Sequence, residues 1–173
     1  MFTQALPPEL FAAQREFIKA MGGKLDFEWA AETLVVEETK ELTEAYKATP
    51  SEENLLNIFK EIGDVIYVVA HFYNVMPVHG PDLLSDERNQ RIQTIIDEAA
   101  MIVSEVTQTM RIPLPIVVAA FEIVHISNMS KLDENGQPVR REDGKIMKGP
   151  NYKVPDMSPV LKAWKKFLKE QEA

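Results

Sequence analysis

The sequence predicts an all-α protein: a helical bundle of two helix pairs, followed by a long loop and a terminal helix. Three observations point there. Apolar residues recur at three- and four-residue spacing along most of the chain. Proline falls between those stripes or at their starts, and glycine between them with the exception of Gly63. A pattern in residues 27–75 returns at an offset of 61 in residues 88–132, as one helix pair would repeat another.

The elements follow in order. Residues 1–7 read as a loose arm ending at Pro7-Pro8. Leu10, Ala13, Phe17 and Met21 then give a helix that Gly22-Gly23 stops. The second helix is expected from about Asp26 to Ala48. Thr49-Pro50-Ser51-Glu52 reads as an N-cap at Thr49, a proline at the first helical position and a glutamate at the third. That third helix carries Leu55, Ile58, Ile62, Val65, Val69 and Phe72 and ends near Pro77, before a turn at Val78-His79-Gly80-Pro81. Ser85 or Asp86 caps a fourth, with Ile92, Ile95, Ile96, Ala99, Val103 and Val106 inward. Pro113 and Pro115 open a fifth, from Ile116 to about Leu132. Gly, Pro and charged residues dominate the loop 133–155, where a small hairpin from Val139 to Met147 can turn at Asp143-Gly144. Ser158-Pro159 starts the last helix, with Val160, Ala163, Trp164, Phe167 and Leu168 inward.

A chain of 173 residues can bury one sizeable core, and the whole is read as a single domain, 1–173. The net charge of −8 argues against duplex nucleic acid as a partner. With no cysteine there are no disulfides, thiolate metal sites or Cys nucleophiles. The N-terminus does not read as a secretory signal, and no apolar run reaches the length of about 18 residues that a membrane span needs. A cytoplasmic protein with no membrane partner is therefore expected.

The chemistry is concentrated in Glu37-Glu38-Thr39-Lys40-Glu41, answered by Glu61-Ile62-Gly63-Asp64. Phe27, Ala31, Leu34, Glu38, Glu41 and Ala45 form one helical stripe with two carboxylates in its apolar middle. Acids placed there need a cation or a partner. Hard divalent ions such as Mg²⁺ or Mn²⁺ take oxygen ligands and keep positions for water and phosphates. Glu38, Glu41, Glu61 and Asp64 are the candidate metal ligands, one i, i+3 pair per helix. Glu37, about 100° off the stripe, can reach the rim and take a proton from water. Glu44, Glu52 and Glu53 read as solvated acids. The second copy of the repeat has Ala99 and Ile102 where the first has Glu38 and Glu41, and presents His125, Ser127, Asn128 and Lys131 instead.

EExxE, a spacer of 19 residues and ExxD resemble the signature of the MazG-like all-α NTP pyrophosphohydrolases, a superfamily that includes dimeric dUTPases and phosphoribosyl-ATP pyrophosphohydrolases. The run from His125 to Lys131, with Asp143-Gly144-Lys145 and Lys148-Gly149-Pro150-Asn151-Tyr152, extends the resemblance over most of the chain. The resemblance implies Mg²⁺-dependent cleavage of a nucleoside triphosphate between the α- and β-phosphates, by a helical homodimer or dimer of dimers. It also implies metal ligation by Glu38, Glu41, Glu61 and Asp64, and activation of water by Glu37. A leaving pyrophosphate needs positive charge that the acids cannot supply. Lys145 and Lys148 are the first candidates, with Lys131 and Arg140 or Arg141 behind them. Asn128 suits a base edge or sugar hydroxyl, and Tyr152, Phe17 or Trp29 can stack on a base. His125 and Tyr152 complete the substrate-binding candidates, while His71 and His79 read as structural or surface residues. dUTP or another pyrimidine deoxynucleotide is the first expectation, phosphoribosyl-ATP the second. Glu122-x-x-His125 leaves a di-iron carboxylate bundle open, and a non-catalytic dimerisation module is a third reading.

Overall fold

The computed structural model describes residues 6–76 and 87–172, so the turn at 78–81 and the caps at Ser85 or Asp86 lie outside the described residues. Six helices are formed among the described residues, as the stripes predict. Helix α1 spans Pro8–Met21; Pro8 sits in its first turn, where a missing N–H costs nothing, and Gly22 closes it in the left-handed conformation at φ 58°.

Helix α2 is composite. One α-turn, Phe27–Trp29, starts at Asp26, whose carboxylate accepts the Trp29 N–H at 3.0 Å. A π-helical segment, Ala30–Val35, follows and then regular helix, Val36–Lys47. Ala30, Ala31, Leu34 and Val35 are buried in the π segment, and Leu42 and Ala45 in the regular helix. Glu41, about 60° round the helix from Glu38, is exposed. The stripe expected through Glu41 therefore runs through Glu38 and Leu42 instead.

Helix α3, Glu52–Val75, is the central element and packs against all the other helices. Its cap is Ser51, not Thr49: extended Ser51 accepts the Asn54 N–H at 3.0 Å through its hydroxyl. Proline forces the residue before it out of the helical region, so Pro50 sets the approach and Ser51 makes the bond. From Ile58 to Phe72 nearly every side chain of α3 is buried, glycine included. A Cβ on Gly63 would stand 2.8 Å from Val124 Cγ2 and 3.0 Å from the Ala120 carbonyl, so Gly63 sets the close approach to the next-but-one helix.

Helix α4, Glu87–Thr109, buries Ile92, Ile96, Ala99, Val103 and Val106, with Ile95 half-buried. Helix α5, Leu114–Met129, starts two residues earlier than expected and ends at Ser130 rather than Leu132. Helix α6, Ser158–Gln171, turns Val160, Leu161 and Trp164 inward; Ala163, expected inside, is exposed, because Leu161 takes the seam. Trp164 packs edge-on to Phe59 at 5.5 Å and its indole N–H donates to the Met110 carbonyl at 3.1 Å. That seats the C-terminal helix on α3. No described helix is long and apolar enough to cross a membrane.

The hairpin at Val139–Met147 forms only as a bridged turn, with no strand among the described residues. Arg140 bridges Ile146, the Met147 N–H bonds the Val139 carbonyl at 2.7 Å, and Gly144 turns the chain at φ 98°. Its side chains are anchored on both sides. Arg140 donates to the carbonyls of Met21 and Gly22 at 2.5 and 2.7 Å, while Arg141 and Lys145 reach α2.

Candidate functional site

Helices α2 and α3 lie side by side and bring Glu38, Glu61 and Asp64 together. Each offers a carboxylate oxygen, and the three lie within 4.8 Å of one another. Glu38 comes from the first regular turn after the π segment; Glu61 and Asp64 flank Gly63 on the buried part of α3. Glu41 stays outside this trio and lines the rim of the adjoining cleft. Three of the four expected ligands thus cluster, and the fourth, Glu41, is turned outward by the register of α2.

Burial shapes the electrostatics. It pushes the Glu61 carboxyl up to about 7; hydrogen bonding and charge from Lys60 oppose the shift, and the charges of Asp64 and Glu41 add to it. Glu38 is raised for the same reason, burial first and then Asp64. Lys60 is the member that the motif did not announce. Its ammonium lies 2.8 Å from Glu61 Oε1 and 2.8 Å from Asp64 Oδ2. Burial disfavours its charge, but Asp64 and Glu61 outweigh that and raise its pKa. The signal was its i, i+4 spacing to Asp64, a relation that surface pairs share.

Glu37 points to the hairpin. Arg141 donates to its Oε1 at 2.8 Å and Lys145 to its Oε2, while Lys145 also reaches Glu38 Oε1 at 3.2 Å. Burial raises the Glu37 pKa, but the hydrogen bonds from Lys145 and Arg141 prevail and hold it below the usual Glu value. Lys145 is held charged by Glu38 and Glu37 against the opposing effect of burial. Asp143 completes the group, pairing with Arg141 at 2.7 Å.

The cluster opens into two connected spaces. A cleft of about 310 Å³ is lined by Glu38, Glu41, Lys60, Asp64, Lys131, Lys145, Lys148 and Tyr152, so acids and lysines share its lining. Lys148 lies over the Tyr152 ring, 5.0 Å from its centroid. Burial lowers the Lys131 pKa, with the charges of Asp64 and Glu38 opposing. A smaller chamber of about 60 Å³ shares Glu38, Asp64, Asn128, Lys131 and Lys145 with the cleft and continues to Phe17, Trp29, Tyr67 and His71. Of the stacking candidates, Phe17 and Trp29 line the chamber and Tyr152 the cleft.

His71 holds the chamber wall in one state. Its Nε2 lies 3.0 Å from the Lys24 carbonyl and can only donate there, so Nδ1 accepts from Gln14 Nε2 at 2.8 Å. Gln14 Oε1 in turn accepts from Asn74 at 2.9 Å. Burial depresses the His71 pKa, and the ring is the neutral Nε2–H tautomer. His71 therefore has a structural place, but one at the chamber. His125 is the substrate candidate that the structure keeps apart: its Nδ1 pairs with the Tyr67 hydroxyl at 3.0 Å, and it lines neither space. Glu122 is exposed, and the acidic trio draws no ligand from Glu122 or His125.

The donors suit a hard divalent cation. All are carboxylate oxygens, and Glu61 Oε2 is buried with no hydrogen-bond partner among the described residues. Octahedral Mg²⁺ at about 2.1 Å needs ligand oxygens roughly 3–4 Å apart, within reach of side-chain rotation from the observed spread. Glu38, Glu61 and Asp64 are the residues that would hold it. The fold and site together define an all-α bundle with an acidic, lysine-buffered cluster at the mouth of an aromatic chamber. Compared with protein-family models, curated proteins and solved structures, the chain matches none. The superfamily resemblance rests on motif and spacing.

Proposed function

We propose that the protein is a Mg²⁺-dependent nucleoside triphosphate pyrophosphohydrolase that cleaves between the α- and β-phosphates, yielding a monophosphate and pyrophosphate. One observation carries the reading: three carboxylates from two facing helices converge, and two of them, Glu38 and Asp64, line a cleft that Lys131, Lys145 and Lys148 also line. A divalent ion held by Glu38, Glu61 and Asp64 supplies charge neutralisation to a polyphosphate. Lys145 and Lys148 meet the leaving pyrophosphate, with Lys131 at the junction of cleft and chamber. Glu37 accepts the proton of the attacking water. Arg141 and Lys145 hold that carboxylate ionised but weaken it as a base. Phosphate oxygens compete for the same two cations, so the substrate itself loosens the restraint on Glu37.

In this reading the base stacks against Phe17 or Trp29 with Asn128 at its edge, and a pyrimidine deoxynucleotide such as dUTP is the first candidate. Phosphoribosyl-ATP is the second candidate in this class. The active species is proposed to be a cytoplasmic homodimer. A Mg²⁺-supplemented screen across nucleotides, with pyrophosphate and orthophosphate detected separately, tests the reading. Pyrophosphate and monophosphate in equal amounts are expected; orthophosphate alone, or no turnover of any nucleotide, refutes it.

A further inference from the structure

The acidic cluster carries a cation of its own. Lys60 Nζ bridges Glu61 Oε1 and Asp64 Oδ2 at 2.8 Å each, which is what a second metal ion does in two-metal sites, where the ions stand about 3.5–4 Å apart. The ammonium is well placed to stay. Lys60 immediately precedes Glu61 and lies one helical turn before Asp64, on a helix buried along most of its length. Its side chain is only 26% exposed. Glu61 Oε2, by contrast, is buried and without a hydrogen-bond partner among the described residues, in a residue 4% exposed. One oxygen of Glu61 is thus committed to Lys60 and the other is left for a ligand.

Charge points the same way. Metal binding requires ionised carboxylates. Glu38, Glu61 and Asp64 with Lys60 then leave two negative charges, which one divalent ion neutralises. A second ion would leave these four groups doubly positive, and the rim charge of Glu41 is offset by the Lys145 ammonium, 3.2 Å from Glu38.

We infer that Lys60 stands in for a second metal ion, so that the site takes a single divalent cation on Glu38, Glu61 and Asp64. This rests on the pyrophosphohydrolase reading for its choice of metal. Lys60 is a positioning residue, acting through the two carboxylates it bridges.

The test counts Mn²⁺ by electron paramagnetic resonance, titrating the full chain without nucleotide. Wild type is expected to bind one ion per chain, Lys60→Gln two, and Lys60→Arg, which restores the charge, one. Two ions in wild type, none in wild type, or still one in Lys60→Gln overturns the inference. If Lys60→Gln does not fold, the wild-type spectrum at saturation decides: an isolated-ion signal supports the inference and a dipolar-coupled Mn²⁺ pair overturns it. Because no nucleotide is present, the two readings fail separately. A protein that binds one ion yet hydrolyses nothing refutes the pyrophosphohydrolase reading alone; one that hydrolyses with two resident ions refutes only the single-ion site.

Discussion

Replacing Gly63 by alanine puts one methyl group where α3 and α5 are in closest contact. The new Cβ would lie 2.8 Å from Val124 Cγ2, 3.0 Å from the Ala120 carbonyl oxygen and 3.1 Å from its carbon. Val124 is 1% exposed and Ala120 fully buried, so neither has solvent to move into. Overpacking of this kind costs about 1–3 kcal/mol, and contact with backbone on one side places it in the upper half. Alanine also gains up to about 1 kcal/mol over glycine within a helix. The net expectation is a loss of about 1–2 kcal/mol, which at roughly 2–4 °C per kcal/mol lowers Tm by about 2–8 °C. Because Gly63 lies between Glu61 and Asp64, separating the helices also displaces two of the three clustered carboxylates, and Mn²⁺ affinity should fall along with Tm. Thermal unfolding followed by circular dichroism at 222 nm, with Mn²⁺ titration of the folded protein, reads both effects. An unchanged or higher Tm would mean that helix propensity outweighs the close approach, and the packing argument would fail.

Three further outcomes are expected. Ser51→Ala should cost about 1 kcal/mol through the lost cap, whereas Thr49→Ala should stay within about 0.5 kcal/mol; equal effects in denaturant titrations would return the cap to Thr49. Glu38→Gln should cut Mg²⁺-dependent turnover by on the order of a hundredfold or more while leaving the helical circular dichroism intact, and full activity would remove Glu38 from the ligand set. His71 is depressed in the folded state, so below its ordinary value of about 6.5 the unfolded chain binds the extra proton. The His71 contribution should then rise with pH up to that value, by at most roughly 1 kcal/mol per unit, against the opposite contribution of Glu61, whose carboxyl is raised to about 7. His71→Gln should flatten this dependence in urea titrations at pH 5–7; an unchanged slope would show that another group is responsible.

The helices were legible because their information is local. Stripes such as Ile92, Ile96, Ala99, Val103 and Val106 record burial directly, and Gly22 marks a helix end by its own backbone freedom. Glu38, Glu61 and Asp64 stood out because acids on an apolar stripe conflict with the pattern around them. Glu41 was misplaced because three- and four-residue spacing leaves both 41 and 42 open between Glu38 and Ala45, and the apolar Leu42 takes the core. Lys60 went unnoticed because a lysine four residues before an aspartate reads the same on a solvated face as at a buried site. The grip of Arg141 and Lys145 on Glu37 depends on where the hairpin lands, which composition does not encode. The Ala163 error has a smaller cause, since two adjacent apolar residues, Val160 and Leu161, leave the direction of the seam to the surface it meets.

The counter-ions of the acidic cluster differ in when they can arrive. Glu37 and Arg141 are separated by 104 positions, and the Arg140 contact to Met21 by 119. Joining such distant segments carries a large loop-closure entropy and tends to come late in folding. Helices α2 and α3 are neighbours in the chain and leave the ribosome well before the hairpin. For that interval Lys60 is the nearby positive charge, within one turn of both Glu61 and Asp64. A residue inferred to limit the metal count therefore also shields buried acids in the chain's early, half-made state.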